Sequence, residues 1–167
     1  MVGVDYSARA VGLSNRHYGA QRVGLGYVPG DAEALPFDDD SFDAVINVES
    51  SHCYRAMPTF LAEVHRVLRP GGHFLFADFR SGDHLTDLDG QLRRSGLVER
   101  RRQDITSNVM QALDIDHARK RAQIEQNAPW WVTKLFAQFA GLKGSRIYRQ
   151  FQGRELIYMS FVLQKAG

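Results

Sequence analysis

The sequence predicts an α/β protein with a doubly wound, mostly parallel sheet of the Rossmann-like type. Two observations lead to this fold class. Short β-type segments alternate with amphipathic helical segments through the first half of the chain, and the connections between them are short. Two of the strand segments, "FDAVINVE" and "HFLFADF", are apolar runs bounded by polar residues, which is typical of strands buried on both faces.

The length of 167 residues indicates a single domain, residues 1–167. The content of 44% hydrophobic and 24% charged residues is that of an ordinary globular protein, and the net charge of +2 argues against a dedicated nucleic-acid partner. One cysteine, Cys53, excludes an internal disulfide. No signal-peptide core and no apolar run of about 18 residues occurs. We therefore expect a cytoplasmic protein, and contact with the inner face of a membrane stays open.

The first elements follow from local signals. "VGVD" predicts a strand, and Ser7 is a suitable N-cap for a helix from about Ala8 to Tyr18 that Gly19 ends. "GLGYVPG" predicts the second strand, with a turn at Gly30, and "FDAVINVE" the third. "PTFLAEVHRVL" has apolar residues on one helical stripe, and "RPGG" ends that helix before the strand "HFLFADF".

The second half of the chain is richer in helical patterns. "LTDLDGQLRRSGL" predicts a helix, "VERRRQDIT" a strand, and "RELIYMSFVLQK" the last strand. Residues 107–145 predict a helical insertion before that strand, placed as a lid over the carboxyl ends of the sheet. Its apolar residues fit a core or the wall of a hydrophobic pocket, and both roles stay open: Trp130, Trp131, Leu135, Phe136 and Phe139.

Acidic residues follow the first two predicted strands. Asp5 ends the first strand and Asp31 follows the second, and open α/β sheets bind ligands in the crevice at these strand ends. The Asp31 carboxylate can accept a hydrogen bond from an exocyclic amine, and the backbone N–H of Ala32 can donate to a ring nitrogen. This pattern would recognise an adenine edge. The alternative is that Asp31 only caps a turn.

A histidine and an aspartate follow the next two strands. His52 comes after "FDAVINVE", and Asp78 ends "HFLFADF" 26 positions later. Both strand ends face the same crevice in a parallel sheet, so a carboxylate-held histidine could act there as a general base. A packing role for His52 is the alternative. His17, His52 and Cys53 form no paired ligand motif, so we expect no metal site.

Three consecutive stretches within residues 2–79 resemble the motifs of class I S-adenosylmethionine-dependent methyltransferases. They are "VGVDYS", "GDAEALPFDDDSFDAVINVESSHCY" and "FLAEVHRVLRPGGHFLFADF". Within that superfamily, "INVESSHCY", "RPGGHFLFADFR" and "YMSFVLQK" are most similar to the mycobacterial phthiotriol/phenolphthiotriol dimycocerosates methyltransferases, which O-methylate a long-chain lipid alcohol. Sugar and macrolide O-methyltransferases share much of the same pattern.

The resemblance implies S-adenosyl-L-methionine as cofactor and a lipid alcohol as substrate. It implies that Asp5 binds the ribose hydroxyls, that Asp31 and Ala32 bind the adenine, and that Asn47 lies beside the methionine part. His52 and Asp78 would form the catalytic pair that related natural-product O-methyltransferases carry. A glycolipid sugar or a polyketide hydroxyl is an alternative acceptor. A nicotinamide dehydrogenase is disfavoured, because "GDAEALPF" followed by "RPGGHFLFADF" belongs to the methyltransferase pattern.

One part of the family pattern has no counterpart in this chain. The family places a strand and a glycine-rich loop before the segment that "VGVDYS" resembles, and "GLGYVPG" cannot be that loop because it precedes the adenine-binding aspartate. We therefore expect a methyltransferase domain that is truncated at its N-terminus, with two strands that lack a neighbour. A non-catalytic remnant that binds lipid or a partner chain is the alternative to an active enzyme.

Overall fold

A computed structural model describes residues 1–19, 24–127 and 144–167, without the side chains of residues 117–127. A single π-helical segment, Asn15–Gly19, continues the first helix, and a 3₁₀ turn, Ser51–Cys53, follows the third strand. The strands and α-helices follow one another along the described chain in this order: β1 (Val2–Asp5), α1 (Ala8–Ser14), β2 (Gly26–Pro29), β3 (Phe42–Val48), α2 (Met57–Val67), β4 (Leu68–Ser81), α3 (Gly82–Arg94), β5 (Leu97–Asp104), α4 (Thr106–Asn127), α5 (Arg146–Gln152) and β6 (Leu156–Lys165).

The α/β class is confirmed, and the predicted elements of the described residues form close to their expected bounds. The Ser7 side chain accepts a hydrogen bond from the backbone of Ala10 and so caps α1 as expected. Strand β4 starts earlier than predicted, because the chain stays extended through "RPGG" and Gly71 adopts a φ of 78° there. Helix α4 begins the expected insertion of residues 107–145. Five apolar residues of this segment lie outside the described residues: Trp130, Trp131, Leu135, Phe136 and Phe139.

The strands form two sheets. Strands β1 and β2 pair in parallel, and a second sheet has the order β3-β4-β6-β5. Strands β3 and β4 are parallel, whereas β6 is antiparallel to both β4 and β5. The reversal of β6 follows from α5, whose Phe151 packs on Phe79 near the carboxyl end of β4. The chain therefore enters β6 at that end, with Leu156 opposite Ser81, and must run back along the sheet.

The hydrophobic core lies on one face of the four-stranded sheet. Rings of Phe74, Phe76 and Phe161 stack along this face at centroid distances of 5.3 and 5.6 Å. Apolar residues of α2 and α3 cover them: Phe60, Leu61, Val64, Leu88 and Leu92. On the opposite face, Ile46 and Leu75 stay exposed, by 64% and 38%. Since Ile46 pairs with Leu75 in the ladder, the two form one apolar stripe.

The loop between β2 and β3 is fastened to both ends of α2. At the N-terminal end, the Glu33 carboxylate accepts hydrogen bonds from the backbone of Arg55 and Ala56 at 2.7 and 2.9 Å. At the C-terminal end, the Arg66 guanidinium donates to the carbonyl oxygens of Leu35 and Phe37 at 3.0 and 2.7 Å. The loop that follows the β2 turn is therefore held in place by the same helix that covers the core.

No helix of the described residues combines the length and the apolar character needed to cross a bilayer.

The two faces of the sheet predict opposite responses to the same substitution. Leu163 is 1% exposed on the core face of β6, so Leu163→Ala should lower the free energy of unfolding by ~2–5 kcal/mol. Leu75→Ala on the other face of neighbouring β4 should change it by less than ~1 kcal/mol. Urea denaturation followed by circular dichroism measures both. Equal losses in the two variants would contradict the assignment of the core face.

Candidate active site at the strand ends

A cleft of about 890 Å³ lies between β1 and β3. Its wall includes residues 2–6 of the first sheet, the turn at residues 30–33, and residues 44–50 of β3 and its end. The four residues predicted to bind the cofactor, Asp5, Asp31, Ala32 and Asn47, all line it. The structure thus brings together residues from two separate sheets at one cleft.

Gly30 allows the two aspartates to approach each other. A Cβ atom at this position would lie 2.9 Å from Cγ1 of Val4 and 3.0 Å from Cδ of Pro36, closer than carbon atoms pack. The backbone N–H of Gly30 donates to the carbonyl oxygen of Asp5 at 3.1 Å. The turn after β2 therefore runs directly beside the end of β1, which places Asp31 near Asp5.

Each aspartate uses one carboxylate oxygen for its own turn. Oδ1 of Asp5 accepts a hydrogen bond from the backbone of Ser7 at 2.7 Å, and Oδ1 of Asp31 accepts one from the backbone of Glu33 at 2.9 Å. In the described part of the chain, neither second oxygen accepts a hydrogen bond from the protein. Turn capping and ligand binding, the two alternatives for Asp31, are therefore compatible because they use different oxygens.

Asn47 presents a buried polar atom without a partner. Its side-chain nitrogen donates to the hydroxyl of Tyr54 at 2.8 Å, and that hydroxyl also lies 3.0 Å from Oγ of Ser50. Oδ1 of Asn47 is buried and has no hydrogen-bond partner among the described residues. An unsatisfied buried acceptor costs about 1–3 kcal/mol, so a ligand that donates a hydrogen bond would find a prepared site here.

The 3₁₀ turn after β3 carries His52 to the end of β4. Nδ1 of His52 lies 2.8 Å from Oδ1 of Asp78, and the backbone N–H of His52 donates to Oδ2 at 3.0 Å. The imidazole ring packs on Phe79 with a centroid distance of 4.5 Å. The sequence neighbours Ser50 and Cys53 belong to the cleft wall, whereas His52 and Asp78 are not among the residues that line the cleft. Cys53 is exposed and carries a free thiol.

Further groups that sequence reasoning missed surround the Asp78 carboxylate. Ser51 Oγ donates to Oδ2 at 2.6 Å and accepts a hydrogen bond from Arg80 at 2.7 Å. Nη1 of Arg80 lies 3.2 Å from Oδ2, and the Phe79 backbone donates to Oδ1 at 2.9 Å. The spacing of two positions between Asp78 and Arg80 within a strand puts both side chains on one face, a signal that could have identified Arg80. Ser51 carried no such signal.

These contacts decide the ionisation of Asp78. Burial disfavours its charged form, but the hydrogen bonds from Ser51 and His52 and the charge of Arg80 outweigh burial and lower the pKa of Asp78 below its ordinary value. An ionised carboxylate only accepts hydrogen bonds, so the proton of the short contact belongs to Nδ1 of His52. In the neutral form of the ring, Nε2 then carries the lone pair. The arrangement can therefore accept a proton at one defined atom.

Tyr158 on β6 is a hydrogen-bond donor and not a second proton acceptor. Burial, followed by the charge of Glu49 and a hydrogen bond to it, raises the pKa of the Tyr158 phenol. The hydroxyl therefore stays protonated at neutral pH. Glu49 itself has a φ of 52°, an uncommon conformation for a residue with a side chain, at the point where β3 ends.

Comparisons with known proteins agree on a methyltransferase. The profile of a methyltransferase domain matches residues 1–76. A phthiotriol/phenolphthiotriol dimycocerosates methyltransferase of Mycobacterium leprae is 36% identical over 163 residues, which is 98% of this chain and 60% of that protein. A fatty-acid O-methyltransferase of Mycolicibacterium smegmatis is 35% identical over 127 residues, 76% of this chain and 46% of that protein. The chain thus spans about 60% of the length of the first of these relatives.

Solved structures show the same fold. A phosphoethanolamine N-methyltransferase 2 of Haemonchus contortus, in complex with phosphomonomethylethanolamine and S-adenosylhomocysteine, has a TM-score of 0.82 and 15% identity over 99% of this chain and 44% of its own. A geranyl diphosphate C-methyltransferase of Streptomyces coelicolor, also with S-adenosyl-L-homocysteine, has a TM-score of 0.69 and 15% identity over 99% of this chain and 64% of its own.

The expected resemblance to the methyltransferases is thereby confirmed, and the matched domain supports S-adenosylmethionine as the cofactor, while the site residues stay predictions. Residues 1–76 thus match a methyltransferase domain, the relatives are named methyltransferases, and the fold is that of solved methyltransferases in complex with S-adenosylhomocysteine.

Proposed function

We propose that this site serves the S-adenosylmethionine-dependent O-methylation of a hydroxyl group on a lipid acceptor of the phthiotriol or phenolphthiotriol dimycocerosates type. The contact of 2.8 Å between His52 and Asp78, beside a cleft with two aspartates at strand ends, carries the proposal. The name of the Mycobacterium leprae relative supports the lipid class. A lipid acceptor also favours a cytoplasmic protein that touches the inner face of a membrane.

The cleft fits the cofactor. The second carboxylate oxygens of Asp5 and Asp31 are acceptors, suited to ribose hydroxyls and to an exocyclic amine. The backbone N–H of Ala32 would donate to an adenine ring nitrogen, and Oδ1 of Asn47 would accept from an ammonium group of the methionine part. S-adenosylmethionine would supply a methyl group on a positively charged sulfur. The rate of its transfer depends chiefly on the alignment of the nucleophile with that methyl group.

His52 supplies the proton acceptor that an alcohol requires. A hydroxyl is a weak nucleophile until it loses its proton, and Nε2 of His52 is the free basic nitrogen beside the cleft. Asp78 holds the ring and stabilises the imidazolium that forms, while Ser51 and Arg80 hold Asp78. The proton moves from the acceptor oxygen to Nε2.

A fatty-acid carboxylate is the second candidate acceptor. The Mycolicibacterium smegmatis relative, named a fatty-acid O-methyltransferase, favours it. A carboxylate is already ionised at neutral pH, so its methylation would need no base. The two acceptors therefore differ in their dependence on His52.

The first prediction concerns the cofactor wall. In Asp31→Asn the amide oxygen can still accept the hydrogen bond from the backbone of Glu33. An amide N–H group replaces the second carboxylate oxygen, however, and cannot accept a hydrogen bond from the exocyclic amine of the adenine. Calorimetric titration with S-adenosylhomocysteine should show weaker binding by ~1–3 kcal/mol. Asp38→Asn, in the exposed loop away from the cleft, is the control. Equal affinity in both variants would contradict the adenine assignment, and no binding by the unaltered chain would favour the non-catalytic remnant.

The second prediction separates the acceptors. With S-adenosylmethionine and a long-chain alcohol, His52→Ala should lower turnover by ~10²–10⁴, because the general base is lost. With a long-chain fatty acid the same variant should stay within about tenfold of the unaltered protein. His84→Ala, an exposed histidine on α3, is the matched control. A loss that is equal for both acceptors would show that His52 acts by packing.

The third prediction tests the charge of Asp78. A carboxylate whose folded pKa lies below its unfolded value of about 3.9 stabilises the fold above that pH, and this contribution disappears as pH falls through the folded pKa. Asp78→Asn should therefore be less stable at pH 7 and lose less stability on acidification to about pH 3. Urea denaturation at several pH values measures this, with Asp38→Asn as control. Parallel pH profiles for Asp78→Asn and the unaltered chain would refute it.

A further inference from the structure

Glu49 departs from regular strand geometry at the end of β3. Its φ of 52° is uncommon for a residue with a side chain, and residues held in such conformations cluster at binding and active sites. The backbone N–H of Glu49 still donates to the carbonyl oxygen of Ala77 at 3.0 Å, so the main chain stays attached to β4 here. In a continued strand the Glu49 side chain would share the face of Asn47, two positions earlier. The positive φ breaks that alternation.

The Glu49 side chain contacts Tyr158, which belongs to the other face of the sheet. Phe161, three positions later in β6, points into the core, so strand alternation places Tyr158 on the opposite face. Tyr158 is buried, and its ring lies beside Phe79 and Phe151 at centroid distances of 6.2 and 6.3 Å. The phenol hydroxyl donates a hydrogen bond to the Glu49 carboxylate. A donor fixed by packing therefore orients this exposed carboxylate.

Glu49 belongs to the cleft wall, whereas His52 does not. One aromatic ring connects the two groups, because Phe79 lies 4.5 Å from the His52 imidazole and 6.2 Å from the ring of Tyr158. A carboxylate has about four acceptor positions, and the Tyr158 hydroxyl is the one donor that the described residues offer to Glu49. The site thus presents two neighbouring hydrogen-bond acceptors to a ligand, the Glu49 carboxylate and Nε2 of His52.

One hydroxyl group cannot serve both acceptors. A hydroxyl carries a single proton, so it donates a single hydrogen bond. The hydroxyl that becomes methylated gives its proton to Nε2 of His52, and this step rests on the proposed function. The Glu49 carboxylate therefore needs another donor, and a second hydroxyl on the same acceptor molecule would supply it.

The charge of the cleft wall disfavours an anionic acceptor. Among the described residues that line the cleft, four are acidic and one is basic: Asp5, Asp31, Glu33, Glu49 and Arg55. Glu49 is the acidic member of this set nearest in sequence to His52. A carboxylate acceptor placed there would meet a like charge, whereas a hydroxyl would meet a hydrogen-bond acceptor.

We propose that Glu49 determines acceptor specificity: it accepts a hydrogen bond from a second hydroxyl of the acceptor and so selects a long-chain diol over a simple alcohol and over a fatty-acid anion. Tyr158 is the positioning residue that holds the Glu49 carboxylate and does not itself touch the acceptor. The substrate class of the proposed function is thereby narrowed to lipids with two hydroxyls close together.

Equilibrium binding tests this selection without methyl transfer. The full chain is titrated calorimetrically at neutral pH with three probes, decanol, decanoate and a decane diol that carries both hydroxyls at one end, in the presence and absence of S-adenosylhomocysteine. We expect the diol to bind at least about tenfold more tightly than either other probe, because a hydrogen bond to a charged group is a strong one.

Matched variants assign the preference to one carboxylate. Glu49→Gln removes the charge and should reduce the preference for the diol over decanoate at least about tenfold. Glu49→Asn is a second uncharged variant, of a residue type that tolerates a positive φ. Tyr158→Phe keeps the charge, so decanoate should stay disfavoured although the diol binds less tightly. Glu155→Gln, an exposed glutamate outside the cleft wall, is the control and should keep the full preference.

The binding result is independent of whether His52→Ala affects methyl transfer, so the two proposals fail separately. Equal affinity for the diol and decanol, or tighter binding of decanoate, would overturn the role of Glu49. The same holds if no probe binds the unaltered chain, if both uncharged variants keep the preference, or if Tyr158→Phe loses it as fully as Glu49→Gln.

Discussion

The buried carboxylate of Asp78 is the interaction on which the candidate site depends. It lies near the end of β4 and accepts hydrogen bonds from the turn that follows β3, so it joins β4 to the turn that carries His52. A buried charge needs compensation, and Ser51, His52 and Arg80 supply it. Removing any one of these partners would leave the buried carboxylate with too few hydrogen bonds. The stability of the fold and the orientation of His52 therefore both depend on Asp78.

Helix α2 connects this network with the opposite wall of the cleft. Glu33, two residues after Asp31, accepts hydrogen bonds from the backbone just before this helix, and Arg66 of the helix holds the loop that leads to β3. Phe60 of the same helix contacts Tyr54, whose hydroxyl orients Asn47. One helix therefore fixes the turn that is predicted to bind the adenine, the amide that is predicted to lie beside the methionine part, and the core. Its apolar stripe is a clear helical signal in the sequence, and the helix forms within one residue of the predicted bounds.

The sequence predicted local features and strand-end positions well, and long-range arrangements less well. The strands and the Ser7 cap follow from local patterns, and the meeting of His52 with Asp78 follows from parallel strands ending at one edge. Ser51 and Arg80 could not be assigned, because their role depends on side-chain directions across two strands. The direction of β6 depends on the position at which α5 ends, beside the carboxyl end of β4, and no local sequence pattern encodes that position. The partnerless amide oxygen of Asn47 likewise emerges only from packing.

The exposed thiol of Cys53 gives the cleft a chemical label of its own. It is the only cysteine in the sequence, and it lies in the cleft wall next to His52. A maleimide fluorophore would react with this thiol alone among the cysteines, so its emission would report the polarity of the cleft directly. The same position lets an alkylating reagent place a bulky adduct in the cleft wall, next in sequence to His52, so that the volume of the cleft becomes adjustable at one chosen atom.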